Sequence, residues 1–224
     1  MTKSSAFTLA EVLITLAIIG VIAAISVPSL IQKTNQAELI TAWKKEYAAF
    51  SQAQDKIAFD NGSLFGLCAT NDHNCMRNQF ANVMKVIKTC DSGTITGNCW
   101  HSSNSVQLLN GHQATLVNSL LGSGFILSDG TLFTVFNQSG NCSGSGINRC
   151  AYGHIDVNGF KKPNILGKDI HHFYVMPDGF LPPIMTGTNA SYTCNGAAAT
   201  NTTDDNESIR ASYACTNEML YAKN

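Results

Sequence analysis

Hydrophobic and polar positions divide this chain into three textures. From Phe7 to Ile31 apolar residues run almost without a break, "FTLAEVLITLAIIGVIAAISVPSLI", and Glu11 is the one charge among them. That length suffices for a helix crossing a bilayer. From Gln32 the pattern turns polar but keeps a helical period, with Ile40, Trp43, Tyr47, Phe50 and Ile57 spaced by threes and fours and Ala53 and Gln54 between them. One amphipathic face results, and Lys44, Lys45, Glu46, Gln52 and Asp55 are expected on the solvated side. The two stretches read as a single helix from about Thr8 to Phe59, roughly 75 Å long at 1.5 Å per residue, ended by Asn61-Gly62.

Beyond residue 60 the period shortens. A short helix is expected at "NQFANVMKVIKTC", burying Val83, Val86 and Ile87, within a coil-rich region to about residue 112. Alternating and β-branched runs then follow at "ATLVNSL", "GFILSDGTLFTVF", "CAYGHIDVNG" and "KDIHHFYVMPDGFLPP". Asp129-Gly130 and Asp178-Gly179 are hairpin signals between apolar runs. A long helix followed by four or five antiparallel strands defines an α+β fold. The tail from about 186 reads as a loop and then a weak helix containing Cys215.

Composition narrows the classes. Charged residues make up 13% of the 224, against roughly 25% in ordinary soluble domains, and the net charge is −1. A nucleic-acid partner held through phosphates needs a basic face, so none is expected. Eight cysteines, at 68, 75, 90, 99, 142, 150, 194 and 215, all follow the apolar segment, which points to an oxidising compartment. Sequence proximity pairs them as Cys68–Cys75, Cys90–Cys99, Cys142–Cys150 and Cys194–Cys215. Zinc is the competitor, but no C-x2-C or H-x3-H spacing occurs and His73 stands alone between Cys68 and Cys75. His171 and His172 adjoin a strand, point to opposite faces and read as a surface pair. No nucleophile elbow, zincin or P-loop pattern is present, and an enzyme is not expected.

Glu11 needs a reason, because a charge near the middle of a membrane span costs roughly 2.5–3.5 kcal/mol. The stretch "AFTLAEVLITLAIIGVIAAISVPSL" resembles the N-terminus of type IV pilins and type II secretion pseudopilins: a short polar leader, a small residue, Phe, Thr-Leu-x-Glu, then an apolar helix. The resemblance implies a leader at 1–6 removed between Ala6 and Phe7 by an inner-membrane prepilin peptidase, with N-methylation of Phe7. Where the family usually has Gly before the cut, this chain has Ala6. A new α-ammonium on Phe7 then enters an apolar helical bundle, and Glu11 of a neighbour can pair with it, turning two costly charges into one compensated pair. The other reading of Glu11 is a side chain snorkelling to the cytoplasmic interface. Gly20 and Pro28 fit a membrane helix, where Pro28 kinks the chain or frees a carbonyl.

The expected organisation is a leader at 1–6, an assembly and membrane half-helix at 7–31, an amphipathic half at 32–59 and a disulfide-rich exported domain at 60–224. Family resemblance implies a filament subunit of a type IV pilus or a secretion pseudopilus at the bacterial inner membrane. Its implied partners are copies of itself or other pilin-like subunits, the prepilin peptidase and methylase, a platform protein and an assembly ATPase. The alternative is an anchored binding module or adhesin that never polymerises. The segment "DVNGFKKPNILGKD" has a pseudopilin-like texture, and Asp156, Asn158, Asn164 and Asp169 offer oxygens to calcium. The competing account is a turn shaped by Asp and Asn side chains. No cofactor is otherwise required.

Overall fold

The computed structural model describes residues 8–64, 66–102, 104–114, 121–143, 148–182 and 205–221. Helix α1 (Leu9–Asn61) is followed by α2 (His73–Val83), strands β1 (Val86–Cys90), β2 (Ser123–Leu127), β3 (Leu132–Asn137), β4 (Ala151–Asp156), β5 (Ile170–Met176) and β6 (Gly179–Leu181), and helix α3 (Asp205–Tyr221). The fold is α+β, a long N-terminal helix packed on an antiparallel sheet, as in pilins. The chain divides into two units, Met1–Glu38 and Leu39–Asn224.

In the first unit every described residue is exposed, including Leu13, Ile14, Leu16, Ile18, Ile19, Val21, Ile22 and Ile25. Such a surface is stable only in an apolar medium or against other apolar helices. By length and composition α1 is able to cross a membrane.

The second unit is built on a six-stranded sheet whose spatial order equals its chain order, β1 to β6, with every neighbour antiparallel. One face meets the second half of α1 and all of α2. Phe50 of α1 stacks on Phe133, with centroids 4.7 Å apart, and on Phe180 at 5.7 Å. Trp43, Ile57, Met76, Phe80, Phe125 and Phe173 complete that layer. Burying each such side chain contributes about 1.5–3 kcal/mol, so this layer fixes the helix to the sheet. The other face is covered by the chain around Trp100, Leu108 and Leu166 together with Ile209 and Tyr213 of α3. Both faces being covered explains why all six residues of β4 are buried.

The predicted face of α1 is the buried one, and the helix ends where Gly62 takes φ +77°, with Asn61 Nδ2 donating to the Ile57 carbonyl. Glu46, expected on the solvated side, is instead 3% exposed. It lies beside Lys45, which bridges at 3.0 Å to Glu46 and also pairs with Asp129 at the β2–β3 turn. The short helix is displaced from its expected place. It begins at His73, where Asp72 accepts the Cys75 N–H, and ends at Val83. Val86 and Ile87 belong to β1 because the β-branched run pairs with β2.

Asp129-Gly130 forms the β2–β3 turn, with Gly130 at φ +94°, and Asp178 lies in the turn from β5 to β6. The sheet has six strands rather than four or five, and Val86–Cys90, expected as helix, is the unforeseen one. The segment "ATLVNSL" lies mostly outside the described residues. Disulfides join Cys68–Cys75, Cys90–Cys99 and Cys142–Cys150, as proximity predicted. Cys215 is disulfide-bonded too, and its expected partner Cys194 lies outside the described residues.

Candidate processing and assembly segment

Ala6 and Phe7, the residues expected at the cut, lie outside the described residues. The chain is described from Thr8, and the carboxylate of Glu11 is engaged there at once. Thr8 donates to Glu11 Oε2 through both its backbone N–H and its hydroxyl, each at 2.8 Å, and the Glu11 N–H donates back to Thr8 Oγ1 at 3.3 Å. This reciprocal arrangement is a capping box, in which the side chains at the helix start satisfy donors that have no partner within the helix. In the single chain Glu11 therefore helps to start α1. Thr8 is the residue that periodicity passed over, although Thr-x-x-Glu before an apolar run is the signature of the motif.

Further along, Thr15 donates to the Val12 carbonyl, Ser26 to Ile22, Ser29 to Ser26 and Thr34 to Leu30. Each hydroxyl is thus satisfied within the helix, which suits an apolar surround. The helix runs through Gly20 and Pro28 without interruption. Pro28 has no N–H, so the Ala24 carbonyl lacks its usual donor. Nothing lies within 4 Å of a Cβ added at Gly20, so that face is open.

The other candidate site lies where β4 ends. Asp156 is fully buried; its Oδ2 accepts from His101 Nε2 at 2.7 Å and its Oδ1 from the Asn158 N–H at 3.1 Å. Asp169 accepts the N–H groups of Asn164 and Ile165, both at 2.7 Å. Its carbonyl accepts from the Val157 N–H. Burial raises both carboxyl groups, with Asp156 pushed up to about 6 despite the His101 bond. Asn158 Nδ2 donates to the Lys162 carbonyl, while Asn158 Oδ1 and Asn164 Oδ1 accept no hydrogen bond. These bonds are those of a turn shaped by its Asp and Asn side chains. Among the described residues no three His, Cys, Asp or Glu side chains are grouped to hold a metal ion.

His73 is likewise occupied, its Nδ1 accepting the Asn137 N–H while Cys68 and Cys75 bond to each other. His171 and His172 do point to opposite faces, but they are buried and not on the surface. His171 stacks on Trp43 at 4.4 Å, and His172 stacks on Tyr213 of α3 at 4.6 Å. The reason is α3, which lies against β5 so closely that a Cβ on the neighbouring Gly167 would meet Ser212 at 2.7 Å.

The family model described as the prokaryotic N-terminal methylation motif matches residues 1–27. That segment carries the processing motif found at the start of type IV pilins and pseudopilins, and it sits on a helix that can cross a membrane. No curated protein and no solved structure matches the chain.

Proposed function

We propose that this chain is a prepilin, a filament subunit held in the inner membrane by α1, cut between Ala6 and Phe7, methylated on Phe7 and polymerised through its N-terminal helix. The reading rests on one observation above all: a methylation motif leads into a helix that is exposed throughout to Glu38, whose first part is apolar and whose only early charge, Glu11, stands at its start. A prepilin peptidase with methylase activity, a platform protein, an assembly ATPase and other pilin-like subunits are the partners this role requires. Its mechanism is assembly and needs no cofactor. On polymerisation the Glu11 carboxylate turns from Thr8 to the Phe7 ammonium of a neighbouring chain, so that both charges enter the bundle paired.

Two substitutions separate charge from cap. Glu11→Ala removes both, whereas Glu11→Gln keeps a side chain able to close the capping box and removes only the charge. Both variants are expected to lower the filament fraction sheared from cells by at least about tenfold, with the amount in the membrane unchanged. Normal assembly of Glu11→Gln would reduce Glu11 to a helix cap. Absence of any sheared filament from the unsubstituted chain would favour the anchored module that does not polymerise.

A further inference from the structure

The turn between β4 and β5 presents a feature that the assembly role does not use. Residues 156–169 contain two acids and three lysines, and the two kinds are segregated. Asp156 and Asp169 are both 0% exposed and hydrogen-bonded inward. Lys161, Lys162 and Lys168 are all exposed and form no ion pair among the described residues. Directly before Lys161 in the chain stands Phe160, 53% exposed, with His101 edge-on to its ring at 5.5 Å. The exposed charges of the turn are therefore all positive, and its exposed ring is that of Phe160. It is also rigid. Asn158 ties to Lys162, Gln107 donates to the Asn164 carbonyl and Leu166 to Gln107, and a Cβ at Gly159 would meet the Gly130 carbonyl at 2.5 Å.

Its place in the second unit is set by two independent contacts. His171, at the start of β5, lies on Trp43, whereas Met176, at its end, accepts from Gln54. Gly159 lies against Gly130, next to Asp129, which pairs with Lys45. The turn therefore occupies the end of the unit at which α1 enters it. The twelve residues from Gln32 to Trp43 span at most about 40 Å even if fully extended, so the surface that holds the apolar segment is within the chain's reach of this end.

We propose that Phe160, Lys161, Lys162 and Lys168 form a contact site for anionic phospholipid headgroups of the membrane in which the chain is anchored. Lysines bind the headgroup phosphates while the ring enters the interfacial layer, where aromatic side chains are favoured. The contact steadies the exported unit against the bilayer until the subunit is withdrawn into a filament. This inference rests on membrane anchoring by α1.

The test is Phe160→Trp in the full chain, reconstituted into vesicles of phosphatidylcholine alone or mixed with phosphatidylglycerol, each doped with brominated lipid. Trp43 and Trp100 are fully buried, so the added indole reports its own surroundings. Quenching is expected to be at least about twofold greater in the anionic vesicles and to fall to the phosphatidylcholine value in raised salt. Lys161→Ser, Lys162→Ser and Lys168→Ser together are expected to do the same. A chain that floats with the vesicles while position 160 remains equally unquenched in both lipids would overturn the proposal alone. That is also the outcome if the turn instead meets an acidic face of another copy. A chain that does not float with vesicles at all would overturn both the anchoring and the contact.

Discussion

His154 and His172 face each other across β4 and β5, with His154 Nε2 and His172 Nδ1 3.3 Å apart. Around them stand Tyr152, Tyr174, Tyr213 and Trp100, and the Arg149 guanidinium lies over the rings of Tyr152 and Tyr174. Burial lowers His154 to about 4, and burial, His154 and Arg149 together hold His172 well below its ordinary value. An unfolded imidazole takes up a proton below about pH 6.5, whereas folded His154 does so only near 4. The unfolded state thus binds more protons in that window, and His154 makes the fold less stable as pH falls through it. Asp156, raised by burial, works in the opposite direction, so the contribution of His154 is best isolated by difference. Relative to the unsubstituted chain in detergent, His154→Gln is expected to lose about 1.4 kcal/mol less stability per pH unit between about pH 6.5 and about pH 4.5. Denaturant unfolding across that range measures it, and parallel pH curves would contradict the assignment. Single residues were legible where chemistry is local, as with the three near-neighbour disulfides. They were not where a distant segment decides burial: only the packing of α3 and the Trp100 loop makes His154, His172 and Asp156 interior.

The sheet shows the same division. Its hairpins were visible from Asp-Gly pairs between apolar runs, because turn chemistry is local. The junction of α2 and β1 was not, since "NVMKVIKTC" suits helix or strand and its pairing with Gly124–Leu127 settles the matter only after the chain has folded back. Gly153 in β4 is an element-level requirement that periodicity does not announce. A Cβ there would come within 1.9 Å of the Thr134 carbonyl oxygen and 2.8 Å of Phe173 Cζ. Phe173 needs that space to stack on Phe133 at 5.1 Å, and through it on the ring layer that receives Phe50 of α1. Backbone cannot yield as a flexible side chain can. Gly153→Ala is therefore expected to cost about 3 kcal/mol or more, read as early loss of protease resistance by the full chain in its membrane. Unchanged resistance would mean that β3 and β4 have more freedom to separate than their register implies.

The whole molecule joins two units of opposite surface character by one continuous helix. The first exposes an unbroken apolar surface, and the second buries its apolar residues on both faces of a sheet and staples its loops with disulfides. Neither character suits the medium of the other, which is the physical reason to place the chain across an interface, with the cysteine-rich unit on the oxidising side. That division was plain in the hydrophobic pattern, because it depends on texture summed over tens of residues and not on any one packing contact. In the proposed function, removal of residues 1–6 is the step that converts such an anchored chain into a filament subunit, leaving a charged terminus four residues before Glu11. The measurement to make first is the intact and N-terminal peptide mass of the protein from its native membrane. A chain beginning at Phe7 and carrying one added methyl group is the result expected of a processed subunit. A chain that still carries Met1 to Ala6 would contradict that account and leave a permanently anchored exported module in its place.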